Sequence, residues 1–234
     1  VWVIVDIFTQ YYDVSIGKDV LNLLKKCKVN IKVVFPKNSI VAMVSYGLLN
    51  EAKNELKIFH SQLNDAAKND LIVGIEPSEV LVWRDEAKSL LNGRLPNVLL
   101  FEELLLELDQ LKVLPKFHAL NTKVWVYEHC HQKSLAETEN VIKSLELIPE
   151  LQIEIINGGC CGMAGEFGYK FPEISDTIAH QSLDNYMSRV GKNDVLVVTG
   201  TSCRNQILDI FSIRSIHWPQ LFNNTIKMKV NIEE

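Results

Sequence analysis

Four of the five cysteines in this 234-residue chain stand in three short motifs, all in its second half. Cys130 lies in His129-Cys130-His131, the pair Cys160 and Cys161 lies in Gly158-Gly159-Cys160-Cys161-Gly162, and Cys203 follows Gly200-Thr201-Ser202. Four thiolates drawn from separate loops form a ligand set for iron and sulfur. They also satisfy tetrahedral zinc, alone or as three with His131, although adjacent cysteines are not the usual zinc spacing. Two further readings stay open. The thiols can be inert core residues, or they can form a redox disulfide, which neighbouring cysteines close only as a strained ring. Cys27, on a helix expected over residues 16–28, reads as a half-buried helix thiol.

Positioning such thiols requires loops that converge. Short β-rich runs at residues 1–8, 31–35, 71–75, 123–127, 152–156 and 194–199 alternate with helical patterns, which is the signature of βαβ units and mainly parallel sheets. Cys130, the Cys160-Cys161 pair and Cys203 each follow one of the last three strands, so their loops open on one sheet edge. Helices are expected over residues 46–68, 101–111 and 172–189, the last with Pro172 in its first turn. Cys203 begins a helix through Gln206 and Ile210, whose N-terminus, with Arg204, favours its thiolate. Gly158, Gly159, Gly162 and Gly165 leave room for backbone N–H groups to approach sulfur. His129 and His131 suit orienting hydrogen bonds, Phe167 and Tyr169 suit the wall of the site, and the acidic run 102–109 reads as a solvated helix face.

The first half repeats the order of elements without the thiols. Phe8, Asn38 and Ser39 lie 122 residues before Cys130, Cys160 and Cys161, and Glu79 lies 124 residues before Cys203. Near-equal offsets of this kind mark an internal repeat. The expected architecture is therefore α/β: two tandem Rossmann-like three-layer α/β/α units with mainly parallel sheets, residues 1–115 and 116–234. Glu79 reads as a carboxylate stabilising a helix N-terminus.

A composition of 47% hydrophobic and 23% charged residues, with a formal charge of -5, describes an ordinary globular chain. Without a basic stripe, nucleic acid is not an expected partner. No apolar run reaches the roughly 18 residues of a membrane span. The opening Val1-Trp2-Val3-Ile4-Val5 reads as a strand, not a signal peptide, and suggests a piece of a longer chain. An odd cysteine count without disulfide spacing favours a reducing compartment, so the cytoplasm is expected, with peripheral attachment at the inner face of the cell membrane as the variant.

The three cysteine motifs, extended through Met163-Ala164-Gly165, Phe167-Gly168-Tyr169 and Arg204, resemble the cysteine-rich CCG domain. The text around Asp6, Phe8 and Thr9, residues 45–53 and Gly74-Ile75-Glu76-Pro77-Ser78 is similar to the first of two tandem CCG repeats in the form fused to an FAD-linked oxidase. Such tandem domains occur in iron–sulfur regions of flavin-linked dehydrogenases, among them glycolate oxidase and anaerobic glycerol-3-phosphate dehydrogenase, and in heterodisulfide reductase. The resemblance implies an electron-transfer module, not catalytic alone, that passes electrons from a reduced flavin to a quinone or other acceptor. It implies Cys130, Cys160, Cys161 and Cys203 as ligands of a cluster of 4Fe-4S type, with His131, Gly159, Gly162 and Arg204 around them. Asn38, Ser39 and Glu79 depart from the pattern, so no cluster is expected in the first repeat. Gly200 stands where some members carry a fifth thiol. The FAD and any ferredoxin-type domain are expected upstream or on a flavin dehydrogenase partner, whose substrate the family suggests is a 2-hydroxy acid. The alternative is a structural or partner-binding module with a degenerate redox site or a structural zinc.

Overall fold

The computed structural model of the chain describes residues 1–63 and 70–226. The first half runs β1 (Trp2–Ile4), α1 (Ile7–Tyr11), α2 (Val14–Lys26), β2 (Lys32–Val34), α3 (Ile40–Ser45), α4 (Leu49–Leu63), β3 (Ile72–Gly74), α5 (Pro77–Leu81), α6 (Glu86–Leu90), β4 (Val98–Leu99) and α7 (Phe101–Gln110). The second runs β5 (Lys123–Tyr127), α8 (Cys130–Leu135), α9 (Thr138–Leu145), β6 (Gln152–Ile155), α10 (Phe167–Lys170), α11 (Pro172–Met187), β7 (Val195–Val198), α12 (Thr201–Phe211) and α13 (Trp218–Ile226). The fold is α/β with parallel sheets. One sheet has the order β2-β1-β3-β4 and the other β6-β5-β7, with every named strand pair parallel. In both, the first strand in chain order lies inside, flanked by the next two.

Burial on both faces explains the strand composition. Val124, Trp125, Val126 and Tyr127 are all buried, as continuous apolar runs in parallel sheets must be. One core draws Val3, Val20, Leu24 and Leu104 together with Val124, Val141, Val197 and Phe222, so it spans both halves. Helix α7 packs on α9, and α13 lies on α2. There the Asn223 amide donates to the Asp19 carbonyl at 2.6 Å, and the Phe117 and Phe222 rings meet edge-on.

Several elements differ from expectation for local reasons. The strand expected over residues 1–8 stops at Ile4, because the Asp6 carboxylate accepts the Thr9 N–H at 2.9 Å and starts α1. Phe8 is therefore helical. The helix expected over residues 46–68 begins only at Leu49, after Gly47 takes a φ of +74°. Its expected residues 64–68 lie outside the described ones. Helix α3 and strand β4 have no counterpart among the expected elements. Cys27 caps α2 and is buried, not half-buried. Glu102 is not on a solvated face, since it is buried against Gln132 of α8, whose amide donates to it.

Candidate metal centre

Strands β5, β6 and β7 run parallel and deliver their carboxyl ends to one edge. Cys130 opens α8 directly after β5, Cys160 and Cys161 sit in the loop after β6, and Cys203 lies in the first turn of α12 after β7. The thiols form a line of contacts. Cys130 and Cys161 both hydrogen-bond the Cys160 sulfur, and Cys161 Sγ lies 3.3 Å from Cys203 Sγ. Cys130 is exposed, Cys160 intermediate, and Cys161 and Cys203 are buried, so the line runs from the surface inward.

The surroundings of these thiols favour ionisation at Cys160. Hydrogen bonds from Cys130, from Cys161 and from the Gly162 N–H, 3.3 Å from its sulfur, hold it far below the ordinary thiol range. Cys130 and Cys161 go the other way, raised by hydrogen bonds with their thiol neighbours, Cys160 for the first and both Cys160 and Cys203 for the second, and by burial. Burial, and then the nearby cysteines, push the Tyr127 phenol well above its usual range. Its hydroxyl donates to the Gly159 carbonyl at 2.6 Å, tying the end of β5 to the cysteine loop. Lys133 Nζ braces the same loop from α8 through the Gly158 carbonyl at 2.8 Å.

Two glycines are required here. Gly162 has a φ of +91°, and a Cβ on it would stand 2.2 Å from the Ser175 carbonyl oxygen. A Cβ on Gly200 would stand 2.5 Å from the His129 ring, so the imidazole already fills the space beside that residue. His129 is pushed down to about 4, chiefly by burial, and its Nδ1 accepts the His131 N–H at 3.3 Å. The His131 backbone thus orients its neighbour.

Some expected partners point elsewhere. Arg204 turns away from the sulfurs to pair with Asp13 and to donate to the carbonyls of Val198 and Thr199, at 3.0 and 2.9 Å. Tyr169 is 77% exposed and forms no wall; Met163, buried among the thiols and Tyr127, does. In the first half, Ser39 donates to Glu79, which faces the start of α3 and not of its own helix. Asn38 is exposed. Motif and spacing single out none of Tyr127, Lys133 and Asp13, although Tyr127 carries a signal as the last residue of a strand leading to a cysteine; Met163 stands inside the extended cysteine motif, but nothing there marks it as a wall.

The donor chemistry fits an iron–sulfur centre: four thiols, one of them, Cys160, held below the ordinary thiol range and carrying a backbone N–H on its sulfur. Among the described residues, no three His, Cys, Asp or Glu side chains surround a single ion position. Tetrahedral zinc would hold its sulfurs roughly 3.8 Å apart, wider than the 3.3 Å between Cys161 and Cys203. Any inorganic core must part that pair. In metal-free protein, alkylation is expected to reach Cys160, partly exposed and held below the ordinary thiol range, well before buried Cys27, whose thiol burial pushes up to about 11. Mass-mapped iodoacetamide labelling over time would check that order.

Parallel strands ending in a shared thiol line define a cysteine-rich α/β domain. Residues 124–208 match the CCG family, described as a cysteine-rich domain. The match takes in all four strand-end cysteines. Beyond it, 88% of the chain aligns at 31% identity with D-2-hydroxyglutarate dehydrogenase of Escherichia coli (strain K12), covering 21% of that protein. It aligns at 28% identity with the Haemophilus influenzae protein of the same name, covering 88% of this chain and 21% of that one. With a subunit of the anaerobic glycerol-3-phosphate dehydrogenase of Escherichia coli (strain K12) the identity is 24%, over 90% of this chain and 55% of that polypeptide. The chain thus spans about a fifth of the length of the 2-hydroxyglutarate dehydrogenases and about half of the glycerol-3-phosphate dehydrogenase polypeptide.

Proposed function

We propose that this chain is the electron-transfer region of an FAD-linked oxidoreductase and that Cys130, Cys160, Cys161 and Cys203 hold a single iron–sulfur cluster of 4Fe-4S type. The observation that carries the reading is the gathering of four strand-end thiols at one sheet edge, with Cys161 Sγ 3.3 Å from Cys203 Sγ and the Gly162 N–H on the Cys160 sulfur. When bound, the cluster would supply one-electron chemistry. The chain's own part is to hold the sulfurs, to place the Gly162 N–H against one of them, and to shield the inner pair from water. The relatives' names, two of them 2-hydroxyglutarate dehydrogenases, support a place beside a 2-hydroxy-acid-oxidising part; on this reading the flavin lies in a neighbouring domain or polypeptide and a quinone or similar acceptor lies downstream. Among the described residues no helix is long and apolar enough to cross a membrane; a cytoplasmic site, with peripheral attachment at the inner membrane face, fits this role.

The same reading makes residues 1–115 and 116–234 diverged Rossmann-like copies. Both sheets keep the first strand inside. Ser39 and Glu79 touch in the first half, and Cys161 and Cys203, at the matching positions, touch in the second. Anaerobic reconstitution with iron and sulfide tests the cluster. Wild type is expected to gain labile sulfide and broad visible absorption, Cys160→Ser to lose both, and Cys27→Ser to keep both. Stoichiometric zinc with no sulfide would sink the redox reading.

A further inference from the structure

The first half has no thiol at its own strand ends, yet it holds the helix that carries the second half's last cysteine. Helix α12 starts from Gly200, which has no side chain to cap it. The Thr201 N–H is instead taken by Glu76 Oε2 at 3.0 Å, from a residue 125 positions away in the other half. Thr201 Oγ1 lies 2.7 Å from Asp13 Oδ2 and 3.0 Å from the same Glu76 oxygen. Asp13 also pairs with Arg204, so two carboxylates of the first half grip both sides of Cys203 in sequence. Glu76 is itself fixed, since its N–H donates to Asp6 Oδ2 at 3.1 Å and its Oε1 accepts the Ser78 hydroxyl at 3.3 Å. It is 5% exposed, so water is a poor substitute for it.

We propose that the thiol-free half is a clamp for the metal centre: Glu76, with Asp13, is a positioning residue that caps α12 across the junction and fixes where Cys203 Sγ stands. A carboxylate at a helix N-terminus stabilises it through charge and hydrogen bond together. A loosened first turn would move Cys203 away from Cys161, 3.3 Å distant. The clamp rests on the iron–sulfur reading for its purpose, but its mechanics exist without metal.

Amide exchange in metal-free protein, paired with iron and sulfide content after reconstitution, tests it. In Glu76→Ala the Thr201 amide is expected to exchange roughly tenfold faster or more, with less than half the wild-type iron retained. Glu76→Gln, which keeps an acceptor in the same place, is expected to restore both. Should Glu76→Ala not fold, Asp13→Ala decides: it strips the partner of the Thr201 hydroxyl and of Arg204 at a half-buried site, and it must speed exchange of the Arg204 amide, which closes the first turn of α12 on the Gly200 carbonyl. Unchanged Thr201 exchange in folded Glu76→Ala, or unchanged Arg204 exchange in Asp13→Ala, would overturn the clamp whatever the iron content. Wild type that protects Thr201 but binds no iron would overturn the iron–sulfur reading and leave the clamp standing.

Discussion

Gly162→Ala is expected to destabilise the protein by about 3–5 kcal/mol and to abolish cluster uptake. Two costs add. A side chain at φ +91° is strained by itself, and its Cβ would stand 2.2 Å from the Ser175 carbonyl oxygen, with the carbonyl carbon and Ser175 Oγ both at 3.0 Å. That backbone oxygen belongs to α11 and cannot swing aside as a flexible side chain would. The loop must move, and with it goes the N–H that Gly162 gives to Cys160. Gly165→Ala is the control: φ is +63°, but nothing lies within 4 Å of its Cβ position. Backbone strain alone should cost it about 1–2 kcal/mol. Urea unfolding of the two variants would show the difference, and equal losses would disprove the packing argument.

Metal-free protein should lose stability as the pH rises from 5 to 9, and Glu79→Gln should flatten that loss. Burial, reinforced by the neighbouring charges of Asp6 and Glu76, pushes the Glu79 carboxyl up to about 8, against the opposing hydrogen bond from Ser39. The folded value lies above the unfolded one, so the neutral carboxyl is the form the fold prefers. Its contribution is complete below an unfolded value of about 4.5 and is lost as pH climbs through about 8. At 1.36 kcal/mol per unit, this one group accounts for roughly 3–5 kcal/mol by pH 9. Glu102, buried on Gln132 and likewise raised to about 8, adds a second loss of the same sign. Glu79→Gln keeps a polar partner for Ser39 and removes one titration. Parallel stability curves for wild type and variant across pH 5, 7 and 9 would refute the assignment.

The two carboxyls also mark where a sequence stops being legible. Periodicity identifies the helix of Glu102 and its apolar stripe. Which acidic residue turns inward depends on Gln132, thirty positions on, arriving from another element. Glu79 is legible as a carboxylate near a helix N-terminus, but not as a carboxyl pushed toward neutrality, because the packing of α5 against α3 that desolvates it joins two separate elements. The cysteine line is the most legible part, since strand-end loops of one parallel sheet have little choice but to meet. The strand of residues 123–127 declares its true ends because every residue after Lys123 is apolar and buried. Arg204 defeats the expectation through its partner Asp13, whose role exists only once the halves are folded together. Distances of 125 and 191 residues leave no local trace.

The last described helix returns to the second one. With α13 seated on α2, Trp218, Leu221 and Phe222 share a core with Val20, Leu23 and Leu24. The thiol-bearing half is consequently not a cassette that gene fusion could lift out at residue 115. Cut there, it would carry away a greasy helix stripped of its seat, and leave the other half with a bare groove. Tethered this way, the two halves keep one shared interior.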